Sequence, residues 1–442
     1  MKILIRTQYY LASLISTKTV LVVFSVAFGV RIAFICLFHP YRDLARYEVE
    51  RVAISLATTG VYGNPYSMPT GPTAHVSPGY TLILAVLFRM FGTGVPAEIV
   101  KELLASAVSA LSCALLPMVA KALFLDWRAG LLAGFLAAVY PERPLVQVDG
   151  DWETPYIALA LMLLSSLLTK LWTQKQLTPR KALWHGLAWG IALQFVSALL
   201  PMFFLFVLVG GYVCRRVGFW RYISFGAIEV LTVVVCLAPW AIRNNHALGS
   251  PILTRSNFGT ELRISNNDFA DPDQRINSLH GIYAKYHPLQ NSREALKVRS
   301  MGEVRYNHQA LQAATLWVRH HPSRFLHLTF GRARCFWLYH DPSLLKTWFV
   351  TLTVLLGFAG LVFVFRDRRI TGIVIGLILL TYPVPNYLIH VGSRQEYPIQ
   401  WIMTLLTACL IVRSAQAVRL LARKPPESGT ACRFAKFFGA NV

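Results

Sequence analysis

The sequence predicts an all-α polytopic membrane protein: a bundle of about ten transmembrane helices, a juxtamembrane helix on the outer surface, and a mixed soluble outer loop region. Three observations predict it. The 442 residues are 55% hydrophobic and only 14% charged, against about 25% charged in a soluble domain. Several apolar runs reach the ~18–20 residues that cross a bilayer core. The charges are also sorted by loop. Segments 1–18, 121–128, 170–182, 214–221, 366–369 and 413–442 carry nearly half of the Lys and Arg, faced only by Asp126, Asp367 and Glu427. That bias marks the cytoplasmic side and puts both termini there. The net charge of +22 then answers to anionic lipid headgroups. A nucleic-acid partner is excluded, because no clustered basic face with interleaved aromatics is present.

The expected spans, in order, are 19–38, 101–122, 129–141, 154–171, 183–198, 200–213, 222–240, 347–365, 370–388 and 397–413. The first follows Lys2, Arg6 and Lys18; it is too long for a signal h-region, and no A-x-A site follows it. The 183–213 stretch crosses twice, since basic residues flank both ends and Pro201 supplies a break. Segment 78–93, PGYTLILAVLFRMFGT, carries Arg89. As a span it would reverse the charge bias, so it is read as lying on the outer surface. These elements divide the chain into an N-terminal transmembrane module, 1–240, with outer loops 39–100 and 142–153, and a large non-cytoplasmic loop, 241–346. C-terminal helices at 347–413 and a basic tail at 414–442 complete it. The seven cysteines are scattered without CxxC or CxH spacing, so neither a zinc site nor a disulfide framework is expected.

Most acids, and every histidine except His185, fall on the outer side, so chemistry is expected there. In HPYRDLARYEVE, Asp43, Tyr47 and Glu50 share a helix face, with Arg46 beside them. This is either a general base next to an anion clamp or a solvated face with an Arg46–Glu50 pair. His75 stands before the surface helix, as a ligand or merely exposed. Asp149, Asp151 and Glu153 precede the next span and could bind a cation, act as base, or cap the helix. Arg243, after Trp240, either snorkels to lipid or binds a substrate phosphate. Arg394 opens the last helix beside Glu396 and Tyr397. Arg31 and Glu229, ionisable within spans, are site candidates by default.

Several segments in order carry a family resemblance: DLARY (43–47), SPGYTLILAVLFRMFG, YPERPLVQVDGDWET (140–154), PWAIRNNHALGSPILTRSNFGTELRISNN (239–267) and GSRQEYPIQW (392–401). Together they resemble the GT-C superfamily of polyprenyl-phosphate-sugar-dependent glycosyltransferases, in the branch of aminoarabinose transferases and protein O-mannosyltransferase-like enzymes. The resemblance implies a GT-C fold in a bacterial inner membrane. It also implies inverting transfer of a sugar from a polyprenyl-phosphate donor to an acceptor hydroxyl on the non-cytoplasmic face. Asp43 matches the first-loop base, with Glu48 the alternative when the register is counted from Gly60. Glu153 matches the second-loop carboxylate. Arg46, Tyr47, His75, Asp151, Arg243 and Arg394 fall to substrate binding. The chain departs from its relatives in His75, where they often carry a basic residue, and in SALLP, where they often carry Arg before Pro. No cofactor is expected; a divalent metal is conceivable at Asp149, Asp151 and Glu153 but is not favoured. The implied partners are a lipid-linked sugar donor, a glycolipid, polysaccharide or protein acceptor, and membrane lipids. A lipid or sugar-lipid transporter (flippase) and a non-catalytic scaffold are the alternative readings.

Overall fold

The structure, a computed structural model, describes residues 2–140, 150–338 and 343–422, with side chains from 17 to 420. Asp149, most of the 142–153 loop and the tail beyond 422 lie outside the described residues.

Seven stretches of helix are long and apolar enough to cross a membrane: Thr17–Phe38, Val95–Ala122, Thr154–Gln174, Phe219–Leu248, Leu344–Asp367, Arg369–Leu388 and Ser393–Leu420. The chain is an integral multi-pass membrane protein. Three further expected crossings are shorter helices, Trp127–Ala138, Pro179–Leu193 and Leu199–Val213. In chain order we label α1 Lys2–Phe38, α2 Glu48–Thr59, α3 Pro78–Phe91, α4 Val95–Ala122, α5 Trp127–Ala138, α6 Thr154–Gln174, α7 Pro179–Leu193, α8 Leu199–Val213 and α9 Phe219–Leu248. The C-terminal bundle holds α16 Leu344–Asp367, α17 Arg369–Thr381, α18 Val384–Leu388 and α19 Ser393–Ala422.

Between α9 and α16 the region expected to mix strands and helices has helices joined by loops and no strand among its described residues. It contains α10 Phe258–Ser265, α11 Gln274–Leu279, α12 Ile282–Tyr286, α13 Ser292–Met301, α14 Glu303–His320 and α15 Pro322–Trp337. Boundaries moved for physical reasons. The 183–213 stretch breaks at 194–198 rather than at Pro201, which sits in the first turn of α8, where a missing N–H breaks no helical bond. The Pro239–Trp240 segment is helical: α9 runs through Pro239 to Leu248 and stops at Gly249 in the left-handed conformation, φ 69°.

The main core is an apolar mass in which Leu116, Leu161, Met162, Trp189 and Phe203 are at most 1% exposed, with smaller clusters beside it. Small residues let the C-terminal helices close on each other: a Cβ on Gly360 of α16 would sit 2.3 Å from the Leu406 carbonyl of α19. Helix α3 is 14 residues long and is not among the long apolar helices. Its Tyr80, Leu84 and Phe88 pack on Val49, Val52 and Ala53 of α2, forming a platform at one end of the bundle. The intervening loop folds on itself through a bridge between Gly63 and Pro72; a side chain at Gly63 would strike the Gly71 carbonyl.

Candidate functional site

Four loops and helix ends converge over the α2–α3 platform, and the charged side chains there sort into a packed knot and an open cavity. In the knot, Lys101 of α4 bonds Glu50 at 2.7 Å, Glu98 at 2.7 Å and Asp151 at 2.6 Å. Arg46 binds Glu98, reaches Glu50 at 3.2 Å and donates to the Thr93 carbonyl at 2.8 Å. Glu50 is wholly buried. Burial raises its carboxyl pKa against the pull of Lys101, and Asp151 is raised by the same balance. The Arg46–Glu50 pair expected from i,i+4 spacing is therefore present, within a larger cluster. Both Arg46 and Asp151 are engaged with protein groups.

A second set of contacts ties the first loop to the later one. Arg243 donates to the carbonyls of Thr73 and Tyr62, each at 2.6 Å, and its guanidinium lies over the Tyr62 and Trp240 rings. Glu303, buried at the start of α14, accepts from the Thr73 hydroxyl, the Ala74 N–H at 2.8 Å and the Ser256 hydroxyl at 2.5 Å. Nothing local in the sequence announces Glu303, because its partners lie far away in the chain.

His75 is buried, bonded through Nδ1 to the Tyr66 hydroxyl at 3.0 Å. Burial first, then the Arg255 charge, pushes its pKa down to about 3, so it is a neutral imidazole. Beside it, Glu48 meets His287 Nε2 at 3.2 Å, and donor atoms of Glu48, His75 and His287 lie within 4.8 Å of one another. Among the described residues these three are a group that could hold a cation. The fit is poor on one point: His287 Nδ1 accepts the Leu289 N–H at 3.1 Å. A neutral imidazole with an accepting Nδ1 carries its proton on Nε2, where it donates to Glu48. Metal ligation at Nε2 would move that proton to Nδ1, against the Leu289 N–H.

The open part of the site is a cavity of ≈ 670 Å³. Its long wall is apolar, including Ile157, Val196, Leu205, Tyr382, Leu388 and Ile389; its other end carries Glu153, Arg255, Glu261, His390 and Arg394. Arg255 donates to the His75 carbonyl at 2.9 Å and stands 3.7 Å from Glu153. Arg394 stacks 3.6 Å over the Trp152 ring and lies 3.5 Å from His390 Nε2. Glu261 faces His390 at 3.6 Å. Burial would raise the Glu261 carboxyl, but His390, His287 and His75 in their charged forms, with Arg255, hold it at about 2. Burial lowers His390 to about 4 in spite of Glu261. A smaller cavity of ≈ 280 Å³, also bordered by Arg394, opens on Tyr47, Trp152, Asp273 and Glu396.

Of the residues singled out from the sequence, Glu153 and Arg394 border the larger cavity, and Tyr47 and Arg394 the smaller. Asp43 is solvent-exposed, its carboxylate accepting the Ala45 N–H at 2.9 Å. Glu48, Arg46, His75, Asp151 and Arg243 lie in the packed surroundings. Arg255, Glu261, His287 and His390 were not singled out; the first two sit inside the quoted 239–267 segment, whose resemblance was the available signal. Within the bundle, Glu229 bonds His185 Nδ1 at 2.6 Å, which supplies the partner its sequence position left open.

No family description and no curated protein matches the chain in sequence. Among solved structures it is similar to the oligosaccharyltransferase AglB of Archaeoglobus fulgidus. Against AglB in complex with an inhibitory peptide and a dolichol-phosphate, the TM-score is 0.54 at 14% identity, over 96% of this chain and 53% of that one. Against the same organism's enzyme in complex with Zn and sulfate, the TM-score is 0.53 at 13% identity, over 91% and 50%. ArnT from Cupriavidus metallidurans bound to undecaprenyl phosphate aligns over 94% and 81% at 12% identity, with a TM-score of 0.37, too low to argue from. The chain spans about half the length of the oligosaccharyltransferase it matches. The likeness is one of fold, an all-α polytopic membrane architecture such as the sequence predicted.

Proposed function

We propose that the protein is a membrane glycosyltransferase that takes a sugar from a polyprenyl-phosphate donor and passes it, with inversion, to an acceptor hydroxyl on the non-cytoplasmic face. One observation carries the reading: an apolar cavity large enough for isoprenoid units ends in two guanidiniums, Arg255 and Arg394. An isoprenoid chain suits the wall of Ile157, Leu205 and Leu388, and a phosphate suits the arginines, which bind planar oxyanions in a bidentate manner. The similarity in fold to a protein solved with dolichol-phosphate supports the same reading.

In the reaction the acceptor oxygen attacks the anomeric carbon as the bond from that carbon to the phosphate oxygen breaks. The phosphate leaves with the electron pair, and its growing charge is balanced by Arg255 and Arg394. Glu153 aligns Arg255 from 3.7 Å. The acceptor proton goes to a carboxylate, for which we propose Asp43: it is solvent-exposed, whereas Glu48 is buried against His287. By the charge bias of the loops, the site faces away from the cytoplasm and both termini lie inside; the resemblance points to a bacterial inner membrane. The test is release of polyprenyl phosphate by purified protein in nanodiscs, supplied with lipid-linked sugars and a membrane extract as acceptor. Release by wild type that is lost in Arg394→Ala supports the reading; equal release by both, or none from any donor, sinks it.

A further inference from the structure

The other end of the bundle holds a cavity that the proposed reaction does not use. It lies where α4 turns into α5, beside the last turns of α16 and the second half of α19. Helix α4 is 28 residues long, so this end is about 40 Å from the α2–α3 platform at 1.5 Å per residue. The cavity measures ≈ 340 Å³, with Ala129, Phe363, Val364 and Leu410 on its apolar side. Its charged groups are Asp126, Asp367, Arg368 and Arg413, of which the first three are exposed. Only three acids, Asp126, Asp367 and Glu427, face the basic segments on this side. The fold brings two of them, far apart in the chain, into one cavity. Arg413 is already taken: it forks onto both carboxylate oxygens of Asp367 and lies 5.3 Å from the Phe363 ring centroid. Asp126 meets only neutral donors, the Arg128 N–H at 2.9 Å and Gln416 Nε2 at 3.1 Å. Arg368 forms no ion pair among the described residues. The cavity thus keeps one carboxylate and one guanidinium without a counter-charge.

We propose that this cavity binds the headgroup of a zwitterionic phospholipid with a primary ammonium, of the phosphoethanolamine type, drawn from the surrounding leaflet. The inference stands apart from the proposed function. The ammonium meets Asp126, and the phosphate meets Arg368. A lipid suits the place better than a solute, because Val362 and Phe365 of α16 and Ile411 of α19 stay exposed on helices long and apolar enough to cross a membrane. Acyl chains can pack there while the headgroup enters the cavity. The carboxylate selects among lipids. The basic segments on this side attract anionic headgroups in general, but Asp126 opposes a headgroup that carries negative charge alone. A primary ammonium donates N–H bonds to a carboxylate, which are strong when both partners are charged. A quaternary choline has no N–H to give.

The test is native mass spectrometry of the delipidated full chain titrated with palmitoyl-oleoyl phosphatidylethanolamine, phosphatidylcholine or phosphatidylglycerol, reading the dissociation constant of the first lipid bound. Wild type is expected to prefer the ethanolamine lipid by about fivefold, the upper range for one exposed ion pair. Asp126→Asn keeps the cap on α5, since Asn caps as well as Asp; it should bring the ethanolamine lipid down to the choline level and leave phosphatidylglycerol no weaker. Arg368→Gln should weaken all three lipids alike. Val412→Trp, which fills the cavity without touching a charge, should erase the preference by occupying the site. Equal binding of the three lipids by wild type overturns the proposal, as does a preference for phosphatidylglycerol. So does a preference for the ethanolamine lipid that survives in Asp126→Asn or in Val412→Trp. Displacement of the bound lipid by an equal concentration of soluble glycerophosphoethanolamine overturns it in favour of a solute site.

Discussion

The knot around Lys101 and the cavity around Arg394 lie at the same end of the bundle and draw on the same residue types, yet their charges serve different ends. In the knot Lys101 meets carboxylates from α2, α4 and the second loop, and Arg46 meets those of α2 and α4. In the cavity Arg255 and Arg394 are held from behind, by a carbonyl and by an aromatic face, and their fronts border open volume. A basic residue in a loop motif is thus informative about ligand binding only once its partner is known. What separates the two sets is whether open volume borders the charged group: Arg255 and Arg394 line the cavity, whereas Arg46, Lys101 and Arg243 do not.

Substitutions can break this contrast. The largest effect is expected for Arg394→Ala, which should lower transfer by about 10²–10³ while the melting temperature in detergent stays near that of wild type. A parallel fall in melting temperature would put Arg394 with the knot. Lys101→Met should do the reverse. Removing the cation leaves Asp151 without its ammonium partner and Glu50 and Glu98 with Arg46 alone, at a cost of about 3–5 kcal/mol, seen as lost folded yield. A normally folded Lys101→Met protein would show that the acids there find other partners. Arg243→Ala is intermediate: the Thr73 carbonyl loses its guanidinium donor and the Tyr62 carbonyl keeps only the Thr73 N–H, about 1–3 kcal/mol. Transfer should fall only as far as the Tyr62–Thr73 loop loosens, so the melting temperature and the rate should decline together.

The contrast also explains what could be read from the sequence. The bundle was legible because a membrane span is a local property of about 20 residues, and the Arg46–Glu50 pair because its members are four residues apart, although Arg46 stands ahead of α2 and residues 43–47 are not the helix that the spacing suggested. Cavity contacts are long-range: Arg255 meets His75, and Glu261 meets His390, across well over a hundred residues. No spacing rule reaches that far. Arg243 shows the converse. Its place at a helix end beside Trp240 suggested phosphate, and only the fold shows two loop carbonyls taking up its donors.

The smallest effect sharpens the comparison through pH. His75 and His390 are buried as neutral rings, with pKa values pushed down to about 3 and about 4 from the ordinary 6.5. In that window the unfolded chain binds more protons than the folded one, so stability rises with pH. The histidine contribution is therefore complete above pH 6.5 and is lost as pH falls toward 4, by up to about 1.4 kcal/mol per unit for each ring. Glu261, held at about 2, loses its contribution only below its ordinary 4.5, so it is silent between pH 6.5 and 4.5. Glu50 and Asp151 have raised values and act with the opposite sign, since protonation relieves the crowded acids of the knot. The melting temperature of His390→Gln should then fall less between pH 6.5 and 4.5 than that of wild type. A variant that tracks wild type over this window would mean that His390 is solvated, and that the cavity is open to water at its polar end.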